Sequence, residues 1–174
     1  MRVLVYGFGP YRQFRENITA RIIKSLPKSA GLMTAIFPVC FQRRQFISAL
    51  TRHRPDIVLG LGQSSRKKID VETRARNRRR ARKSDEFRPI FKARPKSLPT
   101  TLKIRAGRSV RRSNDAGAYV CNYSMFLFLD AIGRAGGKVG FGFIHIPHDW
   151  DLDEAVELIR KILRQCRRPS KLTG

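Results

Sequence analysis

The sequence predicts an α/β fold, a three-layer α/β/α sandwich around a central sheet that is mostly parallel and mixed. Two observations predict it. Short β-branched and apolar runs that end at turns alternate with longer segments whose apolar residues recur at helical spacing. The chain has 174 residues and a hydrophobic fraction of 41%, enough for a single domain over residues 1–174 with a substantial core. Strands and helices that alternate in this way form sheets covered by helices on both faces.

The first half of the chain contains three predicted strands and two predicted helices. The strands are the apolar runs at 2–6, 33–39 and 57–61. Asn17 precedes apolar residues at helical spacing, which predicts a helix that ends before Pro27. Residues 43–53 carry Phe46 and Leu50 on one side and predict a second amphipathic helix.

The second half of the chain returns to the same alternation. Residues 119–132 are apolar nearly all round, so we expect a buried helix that ends at Gly133 or at the glycine pair after it. Residues 139–146 predict a buried strand. Residues 151–166 are amphipathic, with acidic side chains near their start that suit a helix dipole, and predict the final helix. We expect a frayed tail from residue 167.

The chain is strongly basic, with 37 Lys and Arg against 13 Asp and Glu and a formal net charge of +24. Such a balance favours nucleic-acid binding, because cationic side chains displace counterions from phosphates. The charge is concentrated in residues 66–112, here called the basic segment, which carry 19 Lys and Arg and 4 Asp and Glu. Residues 113–174 carry 8 against 7 and are almost neutral. The basic character therefore belongs to the middle of the chain.

Three further features favour a cytoplasmic protein. The three cysteines are odd in number and far apart, which argues against a disulfide framework. The longest apolar stretch, at 119–129, is shorter than the ~20 residues that a membrane helix needs. The apolar run at the start of the chain is short and ends in a turn, unlike a signal peptide.

Cys121, His145 and Glu72 are the candidate catalytic residues. In α/β sheets, functional groups gather at the carboxyl ends of strands and at helix amino termini. Cys121 begins the predicted buried helix, whose amino terminus stabilises a nucleophilic thiolate. His145, near the end of a strand, has the chemistry of a general base, and Glu72 could fix the tautomer of its imidazole.

Each of these residues also has a purely structural interpretation. A cysteine in an apolar helix is most often a small buried hydrophobe, and a histidine after an apolar strand is most often a satisfied core residue. Glu72, beside many arginines, could be a salt-bridge partner. No His, Cys, Asp and Glu cluster has metal-site spacing, and the glycine turns lack the third glycine of a dinucleotide site. We therefore expect neither a metal nor a cofactor.

Six motifs in order along the chain carry a family resemblance. They are GFGPY at 7–11 with Asn17 and Thr19, PD and GQ at 55–56 and 62–63, IDVE at 69–72 with Ala75 and Asn77, AR at 81–82 with Asp85, SNDAGAYVCNY at 113–123, and GFIHIP at 142–147. Together they resemble the pyroglutamyl peptidase I (pyrrolidone-carboxylate peptidase) family of cysteine peptidases. The stretch around Cys121 resembles the nucleophile motif of that family closely.

The resemblance implies an exopeptidase that hydrolyses the N-terminal pyroglutamyl residue from peptides through an acyl-enzyme. It implies Cys121 as the nucleophile, His145 as base and acid, and Glu72 as the orienting carboxylate. Arg82 falls where the family has an arginine that stabilises the oxyanion, together with backbone N–H groups near the cysteine.

The resemblance also implies how the substrate is held. Phe8 and Tyr11 fall where family aromatics enclose the pyroglutamyl ring, and Gln63 falls in the turn whose backbone helps to hold the lactam. Peptides with an N-terminal pyroglutamate are the implied partners, and no membrane is involved. Family members often form dimers or tetramers, which leaves a homo-oligomer open for this chain.

The chain departs from the family pattern in its turns and in its charge. The turn before Arg66 is one residue short, with Ser64 and Ser65 where glycines are usual, and the segment between 99 and 113 is short for the helix and strand expected there. A second hypothesis follows, in which a peptidase-like scaffold has lost activity and binds nucleic acid or another polyanion through the basic segment. The arginines at 74 and 76 are interpreted as an exposed strand edge, and the alternative is a charged lining near the orienting carboxylate Glu72.

Overall fold

The computed structural model describes residues 1–11, 13–104 and 110–167, with the side chain of residue 167 left out. Its strands are β1 (Val3–Phe8), β2 (Leu32–Phe37), β3 (Ile57–Ser64), β4 (Ile69–Glu72), β5 (Arg74–Arg76), β6 (Ser97–Pro99), β7 (Val110–Ser113) and β8 (Gly140–Pro147). Its helices are α1 (Ile18–Ser25), α2 (Arg43–His53), α3 (Val120–Arg134) and α4 (Leu152–Arg167). No helix in this part of the chain is long and apolar enough to span a membrane.

Six strands form one sheet in the order β2-β1-β3-β8-β4-β7. All neighbouring strands are parallel except β4 and β8, which are antiparallel. Only residues 65–68 separate β3 from β4, too few for the crossover that would return the chain to run parallel. The prediction of a mostly parallel, mixed sheet is confirmed. β5 and β6 form a separate two-stranded antiparallel sheet.

Two apolar clusters cover the two faces of the sheet and make the three layers. Along β1 the side chains alternate, so that Leu4 and Tyr6 join one cluster and Val3 and Val5 the other. The first cluster includes the apolar side chains of α2 and α3, and the second those of α1 and α4. Burial of each large apolar side chain contributes about 1.5–3 kcal/mol, so the two clusters are the main source of stability.

The helix boundaries follow local signals in the sequence. Asn17 caps α1, because its side-chain oxygen accepts a hydrogen bond from the Thr19 N–H at 3.0 Å. α2 has the bounds that its apolar spacing predicts. α3 continues to Arg134, past Gly133, and the chain turns at Gly136 and Gly137, whose φ angles of 90° and 69° favour glycine. The expected frayed tail lies almost wholly outside the described residues.

Candidate active site

A pocket of about 360 Å³ opens at the carboxyl ends of β1, β3 and β8, where α3 begins. Five of the residues that the sequence selected line it: Phe8, Tyr11, Gln63, Cys121 and His145. Parallel strands deliver these groups to one edge of the sheet because their carboxyl ends coincide there. Residues far apart in sequence therefore meet in one cavity.

A short hydrogen bond joins the His145 imidazole to the Glu72 carboxylate. The Nδ1 atom of His145 lies 2.7 Å from Oε1 of Glu72, and both side chains are buried. In the antiparallel pairing of β4 with β8, Asp70 lies opposite His145 and Glu72 lies opposite Phe143. His145 and Glu72 are thus diagonal neighbours on one face of the sheet, close enough for their side chains to meet.

Cys121 lies in the first turn of α3 and lines the pocket together with His145, whose pKa it raises. Since Nδ1 of the imidazole is occupied by Glu72, Nε2 is the ring nitrogen left for the thiol. Burial opposes protonation of the imidazole, but the hydrogen bonds and charges of Cys121 and then Glu72 outweigh it and raise the pKa of His145 to about 9. This environment favours an imidazolium beside the Cys121 thiol, held by a buried carboxylate.

Gly62 allows the imidazole to lie directly against β3. A Cβ atom at this position would come within 2.7 Å of Cδ2 and 2.9 Å of Nε2 of His145, and within 2.8 Å of the Phe143 ring. Real Cβ atoms do not approach other atoms so closely. Because Gly62 has no side chain, the imidazole ring of His145 can pack directly against β3.

Comparison with known proteins identifies the family of the chain. A family model described as pyroglutamyl peptidase matches residues 1–152. The chain belongs to this family. Its sequence is 33% identical to the pyrrolidone-carboxylate peptidase of Thermococcus kodakarensis, with 92% of this chain and 91% of the relative covered. The corresponding values for the Pyrococcus furiosus protein of the same name are 32%, 85% and 81%.

Solved structures of pyroglutamyl peptidase family members have the same fold. The pyrrolidone carboxyl peptidase of Thermococcus litoralis superposes with a TM-score of 0.83 at 25% identity and covers 99% of both chains. A variant of the P. furiosus enzyme gives a TM-score of 0.85 at 27% identity, covering 95% of this chain and 97% of that one. Nothing in the comparisons supports polyanion binding through the basic segment.

The three predicted substrate-binding residues of this pyroglutamyl peptidase family member differ in what their side chains do. Phe8 is buried and packs edge-on against Tyr6, with ring centroids 5.9 Å apart. The Tyr11 ring lies 5.2 Å from that of Tyr119, which extends the aromatic wall. The Oε1 atom of Gln63 accepts a hydrogen bond from the Ile18 N–H at 2.9 Å, so this side chain fixes the start of α1.

Arg82 is not brought to this pocket. Its side chain is exposed, and its backbone N–H donates to the Asp85 carboxylate at 2.9 Å in a surface loop. Among the described residues, the arginine that lines the pocket is Arg66, which sequence reasoning did not select. Arg66 donates to Oε1 of Glu72 at 3.3 Å. The structure therefore pairs a different arginine with the catalytic candidates.

Sequence reasoning also missed Ser64. Its hydroxyl oxygen is buried, lacks a hydrogen-bond partner among the described residues, and belongs to a residue that lines the pocket. Side chains alternate along a strand, so Ser64 shares its face of β3 with Gly62, which contacts His145. The alternation of side chains along β3 was the signal in the sequence that could have identified Ser64.

Arg74 and Arg76 belong to β5, which is an edge strand of the two-stranded sheet. Arg74 is exposed, while Arg76 is partly covered and lies 3.8 Å from the Asp115 carboxylate. Asn122, next to the candidate nucleophile, accepts from the Arg76 N–H and donates to the Arg76 and Arg78 carbonyls, each at 2.8 Å. The small sheet is therefore fastened to the start of α3.

Proposed function

We propose that the chain is a cysteine exopeptidase that hydrolyses the N-terminal pyroglutamyl residue from peptides through an acyl-enzyme. The observation that carries the proposal is that Cys121 and His145 line one pocket, while the buried Glu72 carboxylate is hydrogen-bonded to the imidazole of His145. Cys121 is the nucleophile, His145 the base and acid, and Glu72 the carboxylate that orients the imidazole.

Two proton transfers by His145 link the steps of the reaction. The Cys121 thiolate attacks the pyroglutamyl carbonyl carbon, and the resulting oxyanion collapses as the C–N bond breaks and His145 protonates the leaving amine. The shortened peptide leaves, and a thioester remains. His145 then takes a proton from water, and the resulting hydroxide attacks the thioester. The C–S bond breaks, pyroglutamate is released, and the Cys121 thiolate and the His145 imidazolium are regenerated.

The amino terminus of α3 provides donors for the oxyanion. The first N–H groups of a helix have no partner within the helix, and Tyr119 at the N-cap offers no side-chain acceptor to them. These N–H groups lie beside Cys121, where charge develops on the carbonyl oxygen. A contribution from Arg82 would need its exposed side chain to turn inward.

The lining of the pocket suits an uncharged N-terminal residue. Phe8, Tyr11 and Tyr119 give it aromatic walls, and none of the described residues that line it is an Asp or Glu. An ordinary peptide amino terminus carries a positive charge, which would find no carboxylate among the described lining residues. Pyroglutamate has a neutral lactam in place of the ammonium, so it fits where an ammonium does not.

Turnover of pyroglutamyl-7-amino-4-methylcoumarin tests the proposal. We expect release of the coumarin by the purified chain and its loss in Cys121→Ser. Cys40→Ser is the matched control, because Cys40 is also a partly exposed free cysteine and does not line the pocket. Absence of turnover by folded protein, or turnover that survives Cys121→Ser, would contradict the proposed function.

The finer setting of this activity belongs to the same proposal. Cys40, Cys121 and Cys166 are all free thiols, which suits the reducing cytoplasm. Fluorescence microscopy of a tagged chain in cells tests the location. Sedimentation velocity of the purified chain tests whether it forms the homo-oligomer that the family resemblance leaves open, against the self-repulsion that +24 charges produce.

A further inference from the structure

Asp70 is a buried carboxylate two residues from Glu72. Side chains alternate along β4, so Asp70 and Glu72 point to the same face, and both are fully buried. Two carboxylates placed so close repel one another, and like charges in a buried site favour proton uptake by one of the pair. Something must offset this repulsion if Glu72 is to remain an ionised acceptor for His145.

Two arginines meet these carboxylates. Arg111 lies opposite Asp70 in the β4–β7 register and donates from Nε to Oδ1 at 2.7 Å and from Nη2 to Oδ2 at 3.0 Å. Arg66 donates from a single nitrogen, Nη1, to Oδ2 of Asp70 at 2.6 Å and to Oε1 of Glu72 at 3.3 Å. Arg66 is therefore the group that bridges the two carboxylates.

Arg66 supplies the second of the two guanidinium charges that offset the two carboxylates. Among the described residues, the ionisable groups that face Glu72 are Asp70 on its own strand, His145 on β8, Arg111 on β7 and Arg66 before β4. Burial opposes ionisation of Asp70, but hydrogen bonds from Arg111 and Arg66 outweigh it and hold the pKa of Asp70 below its usual value. Two guanidinium groups thus neutralise two carboxylates beside the imidazole.

Arg66 also reaches the loop before the nucleophile. Its Nη2 donates to the Asp115 carbonyl at 2.8 Å, and its Nη1 lies 3.3 Å from the Ser113 hydroxyl. The Asp115 carboxylate in turn accepts from the Gly117 N–H at 3.0 Å, four residues before Cys121. One guanidinium therefore joins the carboxylate side of the site to the nucleophile side.

We propose that Arg66 is a positioning residue, which keeps Glu72 ionised beside Asp70 and so keeps the imidazole of His145 charged next to Cys121. The catalytic meaning of this inference rests on the proposed function. Its test does not, because the reactivity of the Cys121 thiol can be followed without a peptide substrate.

The test is a double-mutant comparison between Arg66 and Asp70. In Arg66→Gln the carboxylate pair takes up a proton, the hydrogen bond to His145 loses its charge, and the Cys121 thiolate loses its partner. We expect alkylation of Cys121 by iodoacetamide at pH 6, followed by peptide mass spectrometry, to slow about tenfold, and the acid limb of its pH profile to move up by about one unit. Hydrolysis of the coumarin substrate should show the same shift, mainly in kcat.

Rescue separates a charge effect from simple damage. Arg66→Gln with Asp70→Asn removes one positive and one negative charge, and we expect it to recover the alkylation profile of the unaltered chain to within about threefold. Lys67→Gln is the matched control, because it removes a neighbouring exposed positive charge without touching the carboxylates. If Arg66→Gln fails to fold, Arg66→Lys keeps the charge and should keep the pH profile.

Three results would overturn the inference: an unchanged profile in Arg66→Gln, a double variant no better than the single one, or a profile in Arg66→Lys shifted as far as that of Arg66→Gln. A chain that shows the expected alkylation shift and rescue, yet does not hydrolyse the coumarin substrate, overturns the proposed function and supports the role of Arg66.

Discussion

One hydrogen bond joins the buried side chains of Glu72 and His145, between Oε1 of the carboxylate and Nδ1 of the imidazole. The Glu72 carboxylate leaves Nε2 as the ring nitrogen available to Cys121. An amide in place of the carboxylate keeps the size of the side chain but removes its charge. The role of Glu72 can therefore be separated from its packing.

We predict that Glu72→Gln lowers kcat/KM for the coumarin substrate by about 100-fold or more, because an uncharged partner no longer stabilises the imidazolium. Steady-state kinetics of the purified variant measure the effect. Glu86→Gln, an exposed position in the basic segment, is the control and should stay within about twofold. A comparable rate in Glu72→Gln would remove this residue from the proposed machinery.

The pKa of His145 gives a second prediction, for stability. It is raised to about 9 in the folded chain, above the ordinary value of 6.5. The folded state therefore holds a proton that the unfolded state releases, and this contribution to the free energy of unfolding is full below pH 6.5 and is lost as pH rises to about 9. Urea unfolding at several pH values in this window measures the slope. Cys121→Ala, which removes the largest favourable cause, should flatten it; an equal slope in both chains would contradict the prediction.

Strands β3 and β8 pack closely at the site, and two glycines differ in the room that a side chain would have. A side chain at Gly62 in β3 would strike the His145 and Phe143 rings, whereas one at Gly133 in α3 would meet nothing within 4 Å. We predict that Gly62→Ala destabilises the fold by about 1–3 kcal/mol and lowers activity by displacing the imidazole. Gly133→Ala should stabilise it by about 0.5–1 kcal/mol, since alanine favours the helix. Chemical denaturation and coumarin kinetics of the pair decide between these opposite signs.

Asn122 links α3 to the small β5–β6 sheet through three hydrogen bonds of 2.8 Å, to the backbone of Arg76 and Arg78. We predict that Asn122→Ala destabilises the chain by about 2–4 kcal/mol, because it leaves three partly buried backbone groups without partners. Thermal and urea unfolding measure the loss. Asn114→Ala, in the loop before α3, is the control, and equal stability of the two variants would show that the link is unimportant.

Charge acts on the molecule as a whole. Among the described residues of the basic segment, five arginines pair with four carboxylates: Arg66, Arg76, Arg78, Arg94 and Arg111 with Asp70, Glu72, Asp115 and Asp130. These pairs use only part of the excess, because the chain has 37 Lys and Arg and 13 Asp and Glu. The remaining positive charges repel one another across the folded surface.

We therefore predict that the melting temperature rises by about 3 °C or more between about 20 mM and about 500 mM NaCl, because screening of repulsion outweighs screening of the ion pairs. Circular dichroism during heating measures it. The matched variant replaces the exposed lysines at 67, 83 and 92 with glutamate, and its melting temperature should depend less on salt. A melting temperature that falls with salt would mean that the ion pairs dominate.

The sequence by itself determined the four described helices, four of the eight described strands and the identity of the catalytic candidates. Helical spacing and the Asn17 cap are local properties, so α1 and α2 could be predicted from neighbouring residues. The motifs around Cys121 and His145 indicated the family because the identities and order of their residues are written in the chain. Neither depends on which strand lies beside which.

Only the tertiary structure decided which groups meet. The insertion of β8 between β3 and β4 puts Glu72 against His145, although the two are far apart in sequence. In the tertiary structure Arg82 is exposed, and Arg66 lies between Asp70 and Glu72. In a run so rich in arginine, composition cannot tell which guanidinium faces inward, because that depends on the buried carboxylates that pairing of distant strands brings within its reach.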